Sequence, residues 1–189
     1  MVAQPQRTSP EEYLENEKSS LSKHEYVNGR VYAMTGASDA HVTILLNLGT
    51  LLRNHLRGGG CRLYASDMKV RIEQLNVFYY PDLLVTCDER DSKNDYFKAN
   101  SCLIVEVLSP TTEAADRGRK FNHYRQLASL QEYVLISQGS MNVDVFRRES
   151  QGIWSLYPLG ASDELCLESI NFSCPVAALY EDVTLTEES

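Results

Sequence analysis

The chain lacks the features that mark several large protein classes. It has no apolar run near the ~18 residues that a membrane-spanning helix requires, and Met1–Arg7 lacks the apolar core of a signal peptide. Its five cysteines are odd in number and scattered, and no two of them form a C-x-x-C pair. These absences predict a cytoplasmic protein with no membrane association, no zinc site and no disulfide framework, in which most cysteines are reduced.

Basic residues are also few, because 18 Lys and Arg residues stand against 26 Asp and Glu residues, for a net charge of −8. A protein that holds nucleic acid permanently is usually basic on at least one face. The charge balance therefore argues against a strong, sequence-independent DNA-binding protein. It does not exclude an enzyme that meets phosphate groups through a divalent cation and a local cluster of basic side chains.

The composition that remains is that of an ordinary globular protein, with 43% hydrophobic and 23% charged residues. Capping and turn signals predict a helix after Ser9, a hairpin turn at Asn28-Gly29 and a helix over about 39–57. The polar segment 88–100 is interpreted as a surface loop. Residue patterns typical of β-strands occupy much of the remaining sequence. We therefore predict a single domain over 8–180, with an α/β fold in which helices flank a central mixed β-sheet.

Two apolar runs, Tyr80–Val85 and Ser101–Leu108, each carry one carboxylate. Runs of this length rich in Val, Ile and Leu are typical of buried strands. A buried carboxylate needs a charged partner, hydrogen bonds or a metal ion. We therefore predict that Asp82 and Glu106 converge on a hard cation such as Mg²⁺, which prefers carboxylate oxygens and water. The alternative is that Asp82 caps a turn and Glu106 forms a buried salt bridge with Lys120 or an arginine.

A further helix is predicted over about 113–127, directly after the second run. Asp116, Lys120 and Tyr124 recur there at i, i+4 and i+8, so they share one face. Lys120 can fold back toward Glu106, where its charge would stabilise negative charge that develops in a transition state. Asp116 is expected to pair with Lys120, and Tyr124 is expected either to pack in the core or to line the site.

Several blocks of the sequence resemble known nucleases. Pro81-Asp82 followed by Glu106 resembles the P-D…(D/E)-x-K core of restriction-endonuclease-like enzymes. Three longer blocks, in the expected order, are similar to the Uma-two family of restriction-endonuclease-like proteins: His24–Ser38, Glu106–Arg125 and Leu130–Ile136. This resemblance extends over about residues 8–180.

The resemblance implies a restriction-endonuclease-like fold and metal-dependent cleavage of DNA phosphodiester bonds, with a homodimer suited to cutting two strands. It implies that Asp82 and Glu106 hold Mg²⁺ or Mn²⁺, with the Val107 carbonyl as an extra ligand. In the general motif a lysine lies two residues after the second acid, but here that position is Leu108. The resemblance therefore implies that Lys120 takes the role of that lysine.

Three more residues are candidates for the site. Glu25, in the predicted hairpin, is implied as a further catalytic acid, since similar nucleases take an acid from an early element; the alternative is an exposed acid beside Lys23. Asp67 precedes a predicted strand, and the resemblance places a polar residue near the site there. His41 lies on the apolar stripe of the second helix and is predicted to be either a core histidine or a residue that lines the site.

Two other functions compete with the nuclease. The first is a non-catalytic dimeric binding or scaffold protein that keeps the acids for structure, which the acidic net charge and Leu108 favour. The second is a glycoside hydrolase in which Asp82 and Glu106 act as an acid–base pair without a metal ion, at a separation of roughly 5–10 Å.

Overall fold

The computed structural model describes residues 7–185, so most of Met1–Arg7 lies outside the described range. The helices are α1 (Pro10–Ser19), α2 (Asp39–His55), α3 (Glu113–Ala115) and α4 (Phe121–Tyr124). The strands are β1 (His24–Val27), β2 (Arg30–Ala33), β3 (Arg62–Ala65), β4 (Lys69–Ile72), β5 (Val77–Tyr79), β6 (Leu83–Thr86), β7 (Phe97–Lys98), β8 (Ser101–Leu108), β9 (Glu132–Ser137), β10 (Val143–Arg148), β11 (Trp154–Leu159), β12 (Glu164–Leu167) and β13 (Phe172–Pro175). Short 3-10 helices occupy Glu73–Leu75, Glu89–Lys93, Glu168–Ile170 and Val176–Tyr180. Within 7–185, no helix combines the length and apolar character needed to cross a bilayer.

Local sequence signals set the ends of the first elements. The Ser9 side chain accepts a hydrogen bond from the Glu12 N–H, and the Glu12 carboxylate accepts one from the Ser9 N–H, which is the predicted capping box of α1. Asn28 and Gly29 both have positive φ, which the tight turn between β1 and β2 requires. Ser38 caps α2 in the same way as Ser9 caps α1, through the N–H of His41. The elements that carry Glu25 and His41 are thus fixed by local chemistry.

A six-stranded mixed sheet in the order β11-β10-β9-β8-β6-β3 forms the centre of the molecule. Its longest strand, β8, pairs in parallel with β9 and antiparallel with β6. Side chains of β8 alternate between two cores. Leu103, Val105 and Val107 contact the α2 side, whereas Ile104 and Leu108 contact the side where Tyr124 packs. Glu106 therefore points toward the chain segment that contains Lys120.

A second, five-stranded sheet has the order β2-β1-β5-β4-β7. Residues of β4 and β5, with Tyr79 among them, share a buried cluster with Tyr124 and Ile104. This sheet therefore packs on the Glu106 side of the central sheet. The segment Tyr80–Asp82 connects β5 to β6 and so passes from one sheet to the other. Because β1 belongs to the second sheet, Glu25 approaches Glu106 from across the core.

The helix predicted over 113–127 is shorter and interrupted. It consists of α3, a π-helical turn (Asp116–Lys120) and α4, which together we call the Lys120 helix. In the turn, the Phe121 N–H donates to the Asp116 carbonyl, and the Tyr133 hydroxyl donates to the same oxygen at 3.1 Å. Single π-turns inside α-helices are frequent at functional sites. Periodicity did not predict the interruption, because Asp116, Lys120 and Tyr124 recur at the spacing of an uninterrupted α-helix.

The polar segment 88–100 is more ordered than a simple surface loop. It contains a 3-10 helix and β7, and its Asp91 and Lys98 are buried. The Asp91 carboxylate accepts hydrogen bonds from the Thr86 hydroxyl, from the N–H groups of Ala99 and Asn100, and from the Asn100 amide. The interpretation as a loop was therefore wrong for this part of the segment, because a buried carboxylate with a full set of donors stabilises local structure that polar composition conceals.

The cysteines form one disulfide, where the sequence predicted no disulfide framework and mostly reduced cysteines. Cys61 and Cys87 are bonded, with their Cα atoms 4.0 Å apart, whereas Cys102, Cys166 and Cys174 are free as expected. The two bonded cysteines flank β3 and β6, which pair antiparallel with Arg62 opposite Thr86. The strand register therefore places them directly across from each other. Spacing along the sequence gave no sign of this, since pairing between distant strands is a tertiary property.

Candidate active site

The two acid-bearing strands lie side by side. In the antiparallel pair β6–β8, Leu83 stands opposite Val105. Asp82 directly precedes Leu83 and Glu106 directly follows Val105, and the Asp82 carboxylate accepts a hydrogen bond from the N–H of Val107, the residue after Glu106. The strand arrangement thus brings together the two acids that the sequence singled out.

Lys120 lies among three buried carboxylates. Its Nζ is 2.9 Å from Glu25 Oε1, 3.2 Å from Glu106 Oε1 and 3.1 Å from Asp116 Oδ1. These four side chains, which we call the acidic cluster, are at most 11% exposed. The Tyr124 hydroxyl donates to Glu106 Oε1 at 3.0 Å. The geometry includes the buried Glu106–Lys120 ion pair that was the alternative to a metal site.

The acidic cluster carries more negative than positive charge. Three carboxylates against one ammonium give a formal charge of −2 when all are ionised. Burial raises the pKa of Glu106 well above its usual value; the Lys120 ammonium opposes this rise, and Asp116, Asp82 and Glu25 add to it. Burial alone would lower the pKa of Lys120, but the neighbouring carboxylates raise it well above its usual value. The lysine is therefore held firmly in its charged form.

Asp116 was expected only as a helical partner of Lys120. It is instead 2% exposed, and its Oδ1 makes no hydrogen bond with any residue in the range 7–185, although it lies near the ammonium. The ion pair with the Lys120 ammonium at 3.1 Å offsets the cost of burying this carboxylate. Asp116 is the residue of the cluster that sequence reasoning left out of the site. The i, i+4 spacing between Asp116 and Lys120 is the sequence signal for this contact. The basic residues of the Lys120 helix are typical of a solvated face, so the sequence predicts an exposed pair and not a buried one.

Both carboxylate oxygens of Asp82 are engaged. His41 Nε2 lies 3.0 Å from Oδ1, and the Val107 N–H donates to Oδ2 at 2.7 Å. An ionised carboxylate only accepts hydrogen bonds, so His41 carries its proton on Nε2. The N–H and C=O of one residue in a strand point to the same side, so the Val107 carbonyl faces Asp82 as well. His41 is thus a contact of the site and not a residue of the α2 core.

The remaining candidate does not join these residues. Asp67 is 82% exposed at its side chain and forms an ion pair with Lys23 at 2.6 Å. It lies on the rim of a broad cleft with a volume of about 1610 Å³. The same cleft is lined by Glu25, His41, Asp82, Glu106 and Lys120, so the buried acidic cluster and Asp82 form part of its wall.

The donor set suits a hard divalent cation. Mg²⁺ is usually bound by one or two protein carboxylates together with waters and substrate oxygens. Asp82, Glu106 and the Val107 carbonyl offer such a set beside an excess of negative charge. In the arrangement of residues 7–185, no three His, Cys, Asp or Glu side chains already form a ligand group, because the Lys120 ammonium lies between the carboxylates.

Comparison with known proteins supports this geometry at the level of the fold. The profile of Uma2, described as "Putative restriction endonuclease", matches residues 10–177. The chain belongs to the Uma2 family. Two Synechocystis sp. proteins are similar over most of their length. Uncharacterized protein slr1290 is 45% identical over 174 residues, covering 92% of each chain, and uncharacterized protein sll1609 is 31% identical over 161 residues, covering 84% of this chain and 91% of that one.

A solved structure has the same fold as this Uma2 protein. The crystal structure of a "putative nuclease belonging to DUF820" from Anabaena variabilis superimposes with a TM-score of 0.69 at 14% sequence identity. The match covers 89% of this chain and 97% of the other. The predicted family and the predicted fold, an α/β restriction-endonuclease-like arrangement with a mixed sheet, are both confirmed.

The departure of this Uma2 chain from the general nuclease motif has a structural counterpart. Leu108 projects to the same face of β8 as Glu106 and is 4% exposed in the core with Tyr124. A lysine there would lie in an apolar cluster. The ammonium reaches Glu106 instead from the Lys120 helix, which passes over that face. In this chain the ammonium beside Glu106 therefore comes from the Lys120 helix and not from β8.

Proposed function

We propose that this protein is a metal-dependent endonuclease that hydrolyses DNA phosphodiester bonds, working as a homodimeric cytoplasmic enzyme with one domain over 8–180. The observation that carries the proposal is the acidic cluster with Asp82 beside it, open to a wide cleft in a nuclease fold. Restriction-endonuclease-like proteins generally use divalent metal ions, which fits a site with more carboxylates than cations. In this proposal, one DNA strand lies along the cleft, with a phosphate facing the acidic cluster.

Each residue has a role that its contacts support. Asp82 and Glu106 would hold Mg²⁺ or Mn²⁺ together with the Val107 carbonyl, and the Val107 N–H and His41 fix the direction of the Asp82 carboxylate. When bound, the ion would lower the pKa of a water molecule and neutralise charge on the scissile phosphate.

Lys120 supplies the second positive charge. Its ammonium, held by Glu25 and Asp116, stays charged and fixed beside Glu106. A fixed charge in a water-poor site stabilises negative charge that builds up on phosphate oxygens in the transition state, without a cost of reorganisation at that moment. Tyr124 positions Glu106 through its hydroxyl. Glu25 is thus a positioning residue for the lysine as well as part of the acid group.

A supercoiled-plasmid assay tests the proposal. In Mn²⁺, the wild-type protein is expected to convert supercoiled DNA to nicked and linear forms, and Asp82→Ala is expected to abolish this. Asp67→Ala, a matched removal of an exposed acid on the cleft rim, is expected to leave cleavage unchanged. Wild-type nicking no greater than that of Asp82→Ala, at any metal concentration, would contradict the nuclease and favour a dimeric binding or scaffold protein.

His41 provides a finer test of how the ligands are held. Replacing His41 with alanine removes the donor to Asp82 Oδ1 and leaves the carboxylate itself in place. Loss of a group that orients a metal ligand typically weakens metal binding by about 10–100-fold. We therefore expect the Mn²⁺ concentration for half-maximal cleavage to rise by about 10-fold or more, with the rate at saturating Mn²⁺ much less affected. An equal loss of rate at every Mn²⁺ concentration would assign His41 to the chemical step instead.

A further inference from the structure

A second buried lysine lines the cleft outside the acidic cluster. Lys69, the first residue of β4, is 6% exposed. Its Nζ makes one long hydrogen bond, 3.5 Å to the Tyr96 carbonyl, and no ion pair with any residue in 7–185. Lys98, comparably buried in the same sheet, differs: its Nζ donates to the carbonyls of Asp91 and Asn94. A structural lysine in this protein is thus well supplied with acceptors, and Lys69 is not.

The acids closest to Lys69 are already engaged. Glu17 accepts hydrogen bonds from the Tyr80 hydroxyl at 3.0 Å and from the His24 N–H at 2.8 Å. Asp67 pairs with Lys23. Burial lowers the pKa of Lys69, while Glu17 and Asp67 oppose this from a distance. The Lys69 ammonium therefore lines the cleft with one long hydrogen bond to residues 7–185, and its burial has a desolvation cost that a bound anion would offset.

Lys69 is also tied to the wall of the proposed active site. Its Nζ lies 4.9 Å from the centre of the Tyr80 ring, two residues before Asp82. The segment that leads into β4 is anchored to the same place, because the Ser66 N–H donates to the Asp82 carbonyl at 3.0 Å. Lys69 and the acidic cluster thus face one continuous cleft, whose lining also includes Lys23, Arg53 and Arg119.

We infer that Lys69 binds a backbone phosphate of the nucleic-acid strand in the cleft, at a position flanking the one that faces the acidic cluster. The inference rests on the proposed function. A lysine ammonium is a compact point charge with three donors, which suits phosphate oxygens and carries no base preference. Lys69 would position the strand and would contribute the same binding free energy whatever the DNA sequence.

Binding of a fluorescent DNA duplex to the full-length protein in EDTA tests this contact without cleavage. Each phosphate contact adds about 0.9 to the slope of log affinity against log salt concentration for duplex DNA. We expect Lys69→Met to reduce that slope by about 0.9 and to weaken binding alike for duplexes of different sequence, whereas Lys69→Arg keeps the slope. Lys93→Met, an exposed lysine that does not line the cleft, is the matched control and is expected to match the wild type.

The outcomes separate the inference from the proposed function. A folded Lys69→Met protein with the slope of the wild type, when the wild type binds and nicks DNA, overturns the role of Lys69 alone. A wild type that neither binds nor nicks DNA overturns both. If Lys69→Met does not fold, Lys69→Gln provides the same comparison with a polar side chain, and a wild-type slope in that variant counts against the inference.

Discussion

Replacing Lys120 with methionine is expected to lower the free energy of unfolding by about 3–5 kcal/mol at pH 8, the usual cost of removing one partner from a buried charge group. The substitution keeps the length of the side chain but leaves Glu25, Glu106 and Asp116 facing one another without a cation. Urea unfolding monitored by circular dichroism measures the change. Lys93→Met, which removes an exposed charge, is expected to have almost no effect.

The loss in free energy of unfolding caused by Lys120→Met is expected to be larger at high pH than at low pH. The ammonium lowers the pKa of Glu106, so its loss raises that pKa further in the folded state. A carboxyl whose folded pKa exceeds its unfolded value loses stability as pH rises from the unfolded value through the folded one. The variant should therefore be closer to the wild type at pH 5 than at pH 8. An equal loss in free energy of unfolding at both pH values would mean that Lys120 stabilises the protein by packing and not by its charge.

Mn²⁺ is expected to stabilise the wild-type protein strongly and the Glu106→Gln variant hardly at all. An ion that binds only the folded state adds about 2.7 kcal/mol at a concentration 100 times its Kd. Glutamine keeps the shape of Glu106 but offers one neutral oxygen, so this gain should disappear. Thermal unfolding with and without Mn²⁺, supported by calorimetric titration, measures the difference.

Two comparisons make this result specific. Glu73→Gln, which changes an exposed acid that does not line the cleft, should respond to Mn²⁺ as the wild type does. A glycoside hydrolase that used Asp82 and Glu106 as an acid–base pair would show no metal-dependent stabilisation to lose. Equal stabilisation of wild type and Glu106→Gln would therefore remove the assignment of Glu106 as a ligand.

The sequence predicted those parts of the protein that local chemistry specifies. The apolar run around Glu106, the Asn28-Gly29 turn and the Ser9 cap each fold as their residue types dictate. The proximity of Lys120 to Glu106 was also within reach, because the Lys120 helix follows β8 directly. These features suffice to predict the centre of the candidate site.

What the sequence could not predict depends on contacts between distant segments. The Cys61–Cys87 bond follows from the register of β3 on β6, and the contact of Glu25 with Lys120 follows from the packing of one sheet on another. Lys69 looks like any strand lysine until the folded chain shows how few acceptors surround it. Pairing partners and burial are properties of the whole fold, and no short window of residues encodes them.

The place of the lysine on a helix changes what controls the distance between the acid and the ammonium. On a strand, a lysine two residues after the acid would have its Cα about 6.6 Å from that of the acid, a spacing fixed by covalent geometry. Here it depends on how the Lys120 helix rests on β8 and β9, through the stacked rings of Phe121 and Tyr133 and the tilted pair Tyr124–Tyr133. These aromatic rings therefore set the spacing between Glu106 and Lys120, so a change of ring volume in the core would alter that spacing without replacing a charged group.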